Sequence, residues 1–359
     1  MSLPHVGWMV RVVLLATSVA AAPFAVRAAA AQDVSQEDYL ALVQRYPVDP
    51  RGAVQALSDL DDRALIGVLP AVLRGAETWP SSRLETAALL HTEVVTGGWV
   101  LPQHAPTHLD IARRFVEAGR GRIVSDTFHR RWLLAVCWHY QSELEFGALV
   151  PWLDELRERY GTEPETDLAL GIFYETLVWN GTVPSDLTWN GRSRVLSAVK
   201  DRTRQQAFQA AAAAYRRAGV PPGTHDAASV RLGRVLGESG QHGEARTVLT
   251  SASSGATERR WRYLAALFLG RTETLAGRPA AAEAAFDRAM TLMDGCQTPL
   301  VGLIALKQLE GRGLEAVAHA EALTEPGRGC EDPWWFYRFG QPPDRLPQLI
   351  AEMREAITP

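Results

Sequence analysis

The feature that most constrains this chain is a pattern that recurs through its C-terminal half. Leu232-Gly233 is followed by Gly240, Ala245, Leu249 and Ala252. The same offsets return at Leu269-Gly270, Gly277, Ala282, Phe286 and Ala289, and again at Leu303-Ile304, Gly311, Ala316, Ala320 and Leu323. Gly233 to Gly270 is 37 residues, and Gly270 to Ile304 is 34. A period of that size marks one supersecondary unit copied along the chain, too small to bury its own apolar face and completed by its neighbours. Each copy reads as two short helices that turn at the Gly. Small residues stand where the helices approach, and an Ala-x3-Phe or Ala-x3-Leu stripe faces the next copy.

Period-2 alternation of β-branched residues is absent, while Ala, Leu, Arg and Glu recur at helical spacing, so the class is all-α. The Leu-Gly pair, the Ala-x3-aromatic step and the closing Ala resemble the tetratricopeptide repeat, whose unit is a helix hairpin of about 34 residues. That resemblance implies a right-handed α-solenoid of stacked hairpins. It is strongest over 226–330 and extends upstream through Ala211-x3-Tyr215-x2-Ala218, Leu170-Gly171-x2-Tyr174, and a unit carrying Trp132, Val136, Ala148 and Trp152. Trp334-x2-Tyr337 falls one 34-residue step after Leu300. The array is therefore expected over 126–340, with an inserted segment near 181–202 that carries Pro184, Trp189 and Gly191. A capping helix is expected within 341–359. Residues 32–125 are helical in composition without a repeat register; Leu84 to Val95 and Leu109 to Ala118 are the clearest amphipathic stretches. The units also depart from the family, with Leu236, Glu273 and Lys307 standing where it has a Tyr.

Residues 1–31 have the order of a secretory signal peptide. Arg11 precedes an apolar run from Val12 to Val26, and Ala28 to Ala31 lead into Gln32 and Asp33. A membrane span needs about 20 apolar residues, so cleavage after Ala31 is expected, with an uncleaved anchor as the alternative. Cleavage removes Arg11 and Arg27 and no acid. The mature chain then has 35 basic and 41 acidic residues, net −6, against −4 for the whole sequence. That balance disfavours nucleic acid, whose phosphates call for a basic surface.

Three cysteines exclude a disulfide-dense scaffold and a four-cysteine zinc site. Cys296 precedes the first helix of a unit and Cys330 follows its second, so an antiparallel pair returns them to the same end, with Gly295 and Gly329 freeing both loops to close. Export supplies oxidising conditions, and a Cys296–Cys330 bridge is expected. Cys137, between Val136 and Trp138, is expected to stay a buried thiol; three free thiols are the alternative.

No phosphate loop, dinucleotide fingerprint, nucleophile elbow or zinc helix occurs, and neither a cofactor nor a metal site is expected. His104 and His108 are four apart, but Pro106 lies between them, and Thr107 to Asp110 reads as a helix cap. His129 and His139 read as ordinary helical histidines. The acidic pairs Glu143/Glu145 and Asp154/Glu155 could serve acid-base chemistry, though charges on the outer face of a solenoid are usually solvated.

The resemblance implies a function as well as a fold. Stacked first helices in tetratricopeptide proteins line a concave groove that receives a peptide or helix of another protein. Arg234 and Arg271 follow the two Leu-Gly pairs, and with Glu238 and Gln308 they are the expected partner-binding residues. Two guanidinium forks would suit an acidic or C-terminal peptide. The leading reading is an exported, periplasmic or secreted scaffold without a membrane span after signal removal. The rival is an envelope enzyme or carbohydrate-binding protein with a cleft between the N-terminal helices and the array.

Overall fold

The computed structural model describes residues 34–96, 104–119, 125–179, 193–199, 203–323, 330, 332–334 and 337. The expected signal peptide (1–31), the capping helix (341–359) and most of the insertion near 181–202 lie outside the described residues. Within them the chain is helical throughout, with no strand. The helices are α1 (Gln36–Arg45), α2 (Pro50–Ser58), α3 (Asp62–Ala76), α4 (Ser81–Thr96), α5 (Ala105–Ala118), α6 (Asp126–Ser142), α7 (Phe146–Tyr160) and α8 (Pro164–Trp179). They continue as a short α9 (Arg194–Ser197), α10 (Arg204–Ala218), α11 (Pro222–Glu238), α12 (His242–Gly255), α13 (Arg259–Leu275), α14 (Pro279–Leu292), α15 (Thr298–Leu309) and α16 (Gly313–Leu323). No described helix is long and apolar enough to cross a membrane.

One turn is built repeatedly. Leu144, Gly240, Gly277 and Gly311 all have left-handed φ, at 61°, 86°, 70° and 74°. In each case the next residue's amide donates to the carbonyl five positions back: Glu145 to Tyr140, Gln241 to Leu236, Arg278 to Glu273 and Arg312 to Lys307, all at 2.9 Å. The left-handed residue itself bonds three back, which completes a Schellman closure and satisfies carbonyls the helix end would otherwise leave open. Glycine takes this conformation without a Cβ clash, whereas Leu144 takes it under strain.

Seven residues before three of these turns stands a small side chain that lets two helices close up. A Cβ on Gly233 would lie 2.5 Å from Leu249, and one on Gly270 would lie 2.6 Å from Phe286. Gly171 meets the Tyr215 ring in the same way across the insertion. In the α6–α7 hairpin Cys137 holds the equivalent place, buried with Leu149 and Leu153. In the α15–α16 hairpin the sizes reverse, with Ile304 against Ala316 and Ala320. Small opposite large keeps the sum of volumes at the crossing. Two charged residues at one register of successive hairpins have partners: Glu273 is buried and 2.7 Å from Arg246, and Lys307 is buried and 2.5 Å from Glu283.

The hairpins pair as α6–α7, α8–α10, α11–α12, α13–α14 and α15–α16, and the first helix of each packs on the first helix of the next, so that α6, α8, α11, α13 and α15 share one face. Upstream, α4 and α5 form a further hairpin that packs on α6. It extends the stack into a region where the sequence offers no register. The N-terminal helices enclose their own core around Tyr39, Leu65, Leu84, Phe115 and Val136, and α6 joins that core to the rest.

Trp334 and Tyr337 lie one repeat beyond Leu300, yet they do not add a first helix past α16. They turn back across the shared face, where Trp334 meets Phe268 of α13 and Tyr337 reaches Glu175 of α8.

Candidate functional site: the face shared by the first helices

Glu175 is the centre of this face. It is the only acid in the apolar run of α8 from Leu168 to Trp179, and it is buried. Its carboxylate accepts from the Tyr215 hydroxyl at 2.5 Å, the Tyr337 hydroxyl at 2.6 Å, Arg231 Nη1 at 3.1 Å and Arg234 Nη1 at 3.2 Å. Burial works to raise its pKa, but Arg234, Arg231 and the two phenols outweigh it and hold the group below the usual carboxylate range. Burial and the same carboxylate push the Tyr215 hydroxyl well above its ordinary pKa, so it stays a donor.

Aromatic rings close over the cations. The Arg231 guanidinium lies 4.1 Å from the Tyr337 ring centre, and that of Arg234 lies 4.5 Å from Tyr337, 4.8 Å from Trp334 and 5.0 Å from Phe268. Cations over ring faces in a desolvated place gain about 2 kcal/mol each. The returning segment is fixed at its near end as well. Cys296 and Cys330 are joined with Cα atoms 4.8 Å apart. Asp332 accepts from the Tyr263 hydroxyl at 2.9 Å, from Thr298 Oγ1 at 2.6 Å, and from the amides of Thr298 and Trp334 at 3.1 and 3.0 Å. Cys137 is the one free cysteine, and burial drives its thiol pKa far up.

The residues expected to bind a partner are placed as follows. Arg234 is on the shared face, but at 3% exposure it lies inside the fold beneath the aromatic rings. Arg271 and Glu238 pair with each other, through Nη2 to Oε2 at 3.2 Å and a shorter Nε contact, and they remain partly open at the rim. Gln308 is exposed and joins neither group; its carbonyl closes the turn at Gly311. The sequence pattern gave no binding role to Glu175, Arg231 or Phe268, and it marked Tyr215 only as a packing position of a repeat. A lone acid in an otherwise apolar helix is the signal that could have found the first, since it needs a buried cation.

Most of the remaining candidates are taken up by structural partners, while Glu143 and Glu145 stand exposed at the α6–α7 turn. α5 begins at Ala105, so Thr107 is inside the helix and donates to Asp62 at 2.9 Å, and Asp110 pairs with Arg113 and Arg114. The expected Thr107–Asp110 cap therefore does not form, because Pro106 starts the helix earlier. His104 also meets Asp62, at 2.8 Å, while His108 is buried against His91 at 2.8 Å. His129 bonds Tyr160 at 3.0 Å, and the His139 ring lies 5.2 Å from that of Tyr140, tilted by 40°. Asp154 accepts the Val195 amide at 3.0 Å and so docks α9 onto α7, while Glu155 contacts Arg159 at 3.2 Å. Among the described residues no group of three His, Cys, Asp or Glu is placed to hold a metal. Against known proteins, the sequence matches no family model and no curated protein with significant similarity.

Proposed function

We propose that this chain is an exported scaffold, built of degenerate tetratricopeptide-like repeats in a right-handed solenoid, that holds another protein on the face shared by its first helices. The repeat reading is supported by the shared turn at Leu144, Gly240, Gly277 and Gly311, and by small-against-large pairs at one register in successive hairpins. The observation that carries the binding reading is that this face already grips Trp334 and Tyr337 of a returning segment through side chains of three first helices: Glu175, Arg231, Arg234 and Phe268. A face that recognises chain by its side chains, flanked by the partly open Arg271–Glu238 pair, is the kind of surface a scaffold presents.

The test is a photo-crosslinking residue placed at Arg271, on the rim, or at Asp287, an exposed position on α14. In the native envelope fraction a discrete protein adduct should form from position 271 and not from 287. Equal labelling from both positions, or none from 271, would remove the reading. Amino-terminal sequencing of the exported protein checks the location; it should begin at Gln32.

A further inference from the structure

We infer that the site beneath Trp334 and Tyr337 recognises a helical partner segment bearing two aromatic residues three positions apart, the second with a phenolic hydroxyl, and that Trp334 and Tyr337 are its resident competitors. The inference rests on the scaffold reading and names the partner's chemistry.

The occupant shows what the site selects. Pro333, Trp334 and Tyr337 are helical, so the two rings lie one turn apart on one side, stacked at an interplanar angle of 9°. Tyr337 meets Phe268 edge-on at 5.0 Å and covers both guanidinium groups, while its hydroxyl donates to Glu175. Phe in that place would keep the ring contacts and lose the hydrogen bond. A carboxylate in its place would have to compete with Glu175, which already engages Arg231 and Arg234, or with Glu238, which engages Arg271. An aromatic pair therefore suits this site better than the acidic peptide expected from the arginines alone.

The chemistry underneath is that of a removable cover. A strap meant to stay would be held as well by an apolar floor, since replacing buried ion clusters with packed hydrophobic residues is often neutral or stabilising. An apolar floor, once uncovered, would leave a sticky patch. Glu175, Arg231, Arg234 and Tyr215 can instead take up water when the rings leave. The holding contacts are also divided. The Cys296–Cys330 bond and the Asp332 hydrogen bonds tether the near end, and the rings alone occupy the site. A tether of that kind gives the resident segment a high effective concentration, about millimolar, which a partner in trans must exceed.

The experiment uses the full mature chain and a fluorescent peptide of its own residues 331–340, read by anisotropy. The wild-type chain should bind the peptide weakly, because the site is filled. Trp334→Ala/Tyr337→Ala should bind it at least tenfold more tightly, and a peptide with Phe at the Tyr337 position should lose about tenfold of that gain. Cys330→Ser keeps every residue of site and segment, opens the disulfide that fixes the segment's near end and should also bind more tightly than wild type; it decides the matter if the double variant does not fold. Folded variants that bind the peptide no better than wild type overturn the inference. If position 271 still captures a partner in that case, the scaffold reading stands without it; if it captures none, both fall.

Discussion

The Tyr337 hydroxyl lies 2.6 Å from Glu175 Oε1 across 162 residues of chain, so the C-terminal segment and α8 are linked through a single buried carboxylate. Two arginines and a second phenol converge on the same group, so four donors from three other elements meet at one carboxylate.

Removing that charge alone should be costly. Glu175→Ala leaves the buried Arg234 and the largely covered Arg231 with their shared anion gone, a change that typically costs about 3–5 kcal/mol. Arg271→Ala, at the partly open rim, should cost about 1 kcal/mol or less. Urea unfolding of the two variants beside wild type measures the difference. Similar midpoints for both would mean that Glu175 is not the keystone of this face.

The repeated turn gives an opposed pair of substitutions. Leu144 occupies left-handed backbone with its side chain 49% exposed, so Leu144→Gly relieves strain and loses little packing. It should stabilise the chain by about 1 kcal/mol, while Gly240→Ala, at the same place in another hairpin, should destabilise by about as much. Thermal melts that move the same way for both would contradict the shared turn.

How far the fold was legible follows from what kind of interaction each part uses. The Gly-and-Ala register was readable because close helix approach admits only small residues, and Ala282, fully buried, stands in it while neighbouring Ala281 is exposed. Ala282→Trp should accordingly lower the melting temperature well beyond Ala281→Trp, since overpacking costs about 1–3 kcal/mol. The α4–α5 hairpin was not readable as a repeat, because it joins the stack through contacts that no Leu-Gly pair announces. The return of Trp334 and Tyr337 was hidden for another reason. Spacing places them one repeat further on, and only the distant pairing with Glu175 and Arg234 reveals that they fold back. Periodicity reports neighbours along the array and is silent on contacts across it.

The N-terminal core holds a second buried polar chain, in which the Tyr39 hydroxyl meets His91 Nε2 at 2.8 Å and His91 Nδ1 meets His108 Nδ1 at 2.8 Å. Burial lowers the His91 pKa, with His108 adding to the shift, and burial lowers that of His108 to about 4 against the pull of Asp62. Both histidines are therefore held neutral in the folded chain and charge more easily when it unfolds. Their contribution is complete above the ordinary histidine pKa of about 6.5 and is lost as pH falls from there towards 4. His108 alone accounts for about 3 kcal/mol over that window. Stability measured from pH 7.5 to 4.5 should fall steeply, and His108→Gln should flatten the slope. An unchanged slope would mean that the pair titrates freely in the fold.

The tether at the end of the array makes the last prediction. Cys296 is 2% exposed and Cys330 follows it by 34 residues, so their bond closes a loop over α15 and α16 and holds Asp332 against Tyr263 and Thr298. Closing a loop of that length removes chain entropy from the unfolded state worth about 4 kcal/mol, before any native strain is counted. The protein, denatured without reductant, should show one reactive thiol, from Cys137, and three after reduction. Cys330→Ser should lower the unfolding midpoint by an amount consistent with that loop, while Cys137→Ala, which only trims a small buried side chain beside Leu149 and Leu153, should cost about 1–2 kcal/mol and leave no free thiol. Three thiols in the unreduced protein would dispose of the bridge, and with it the fixed near end of the segment that covers Glu175.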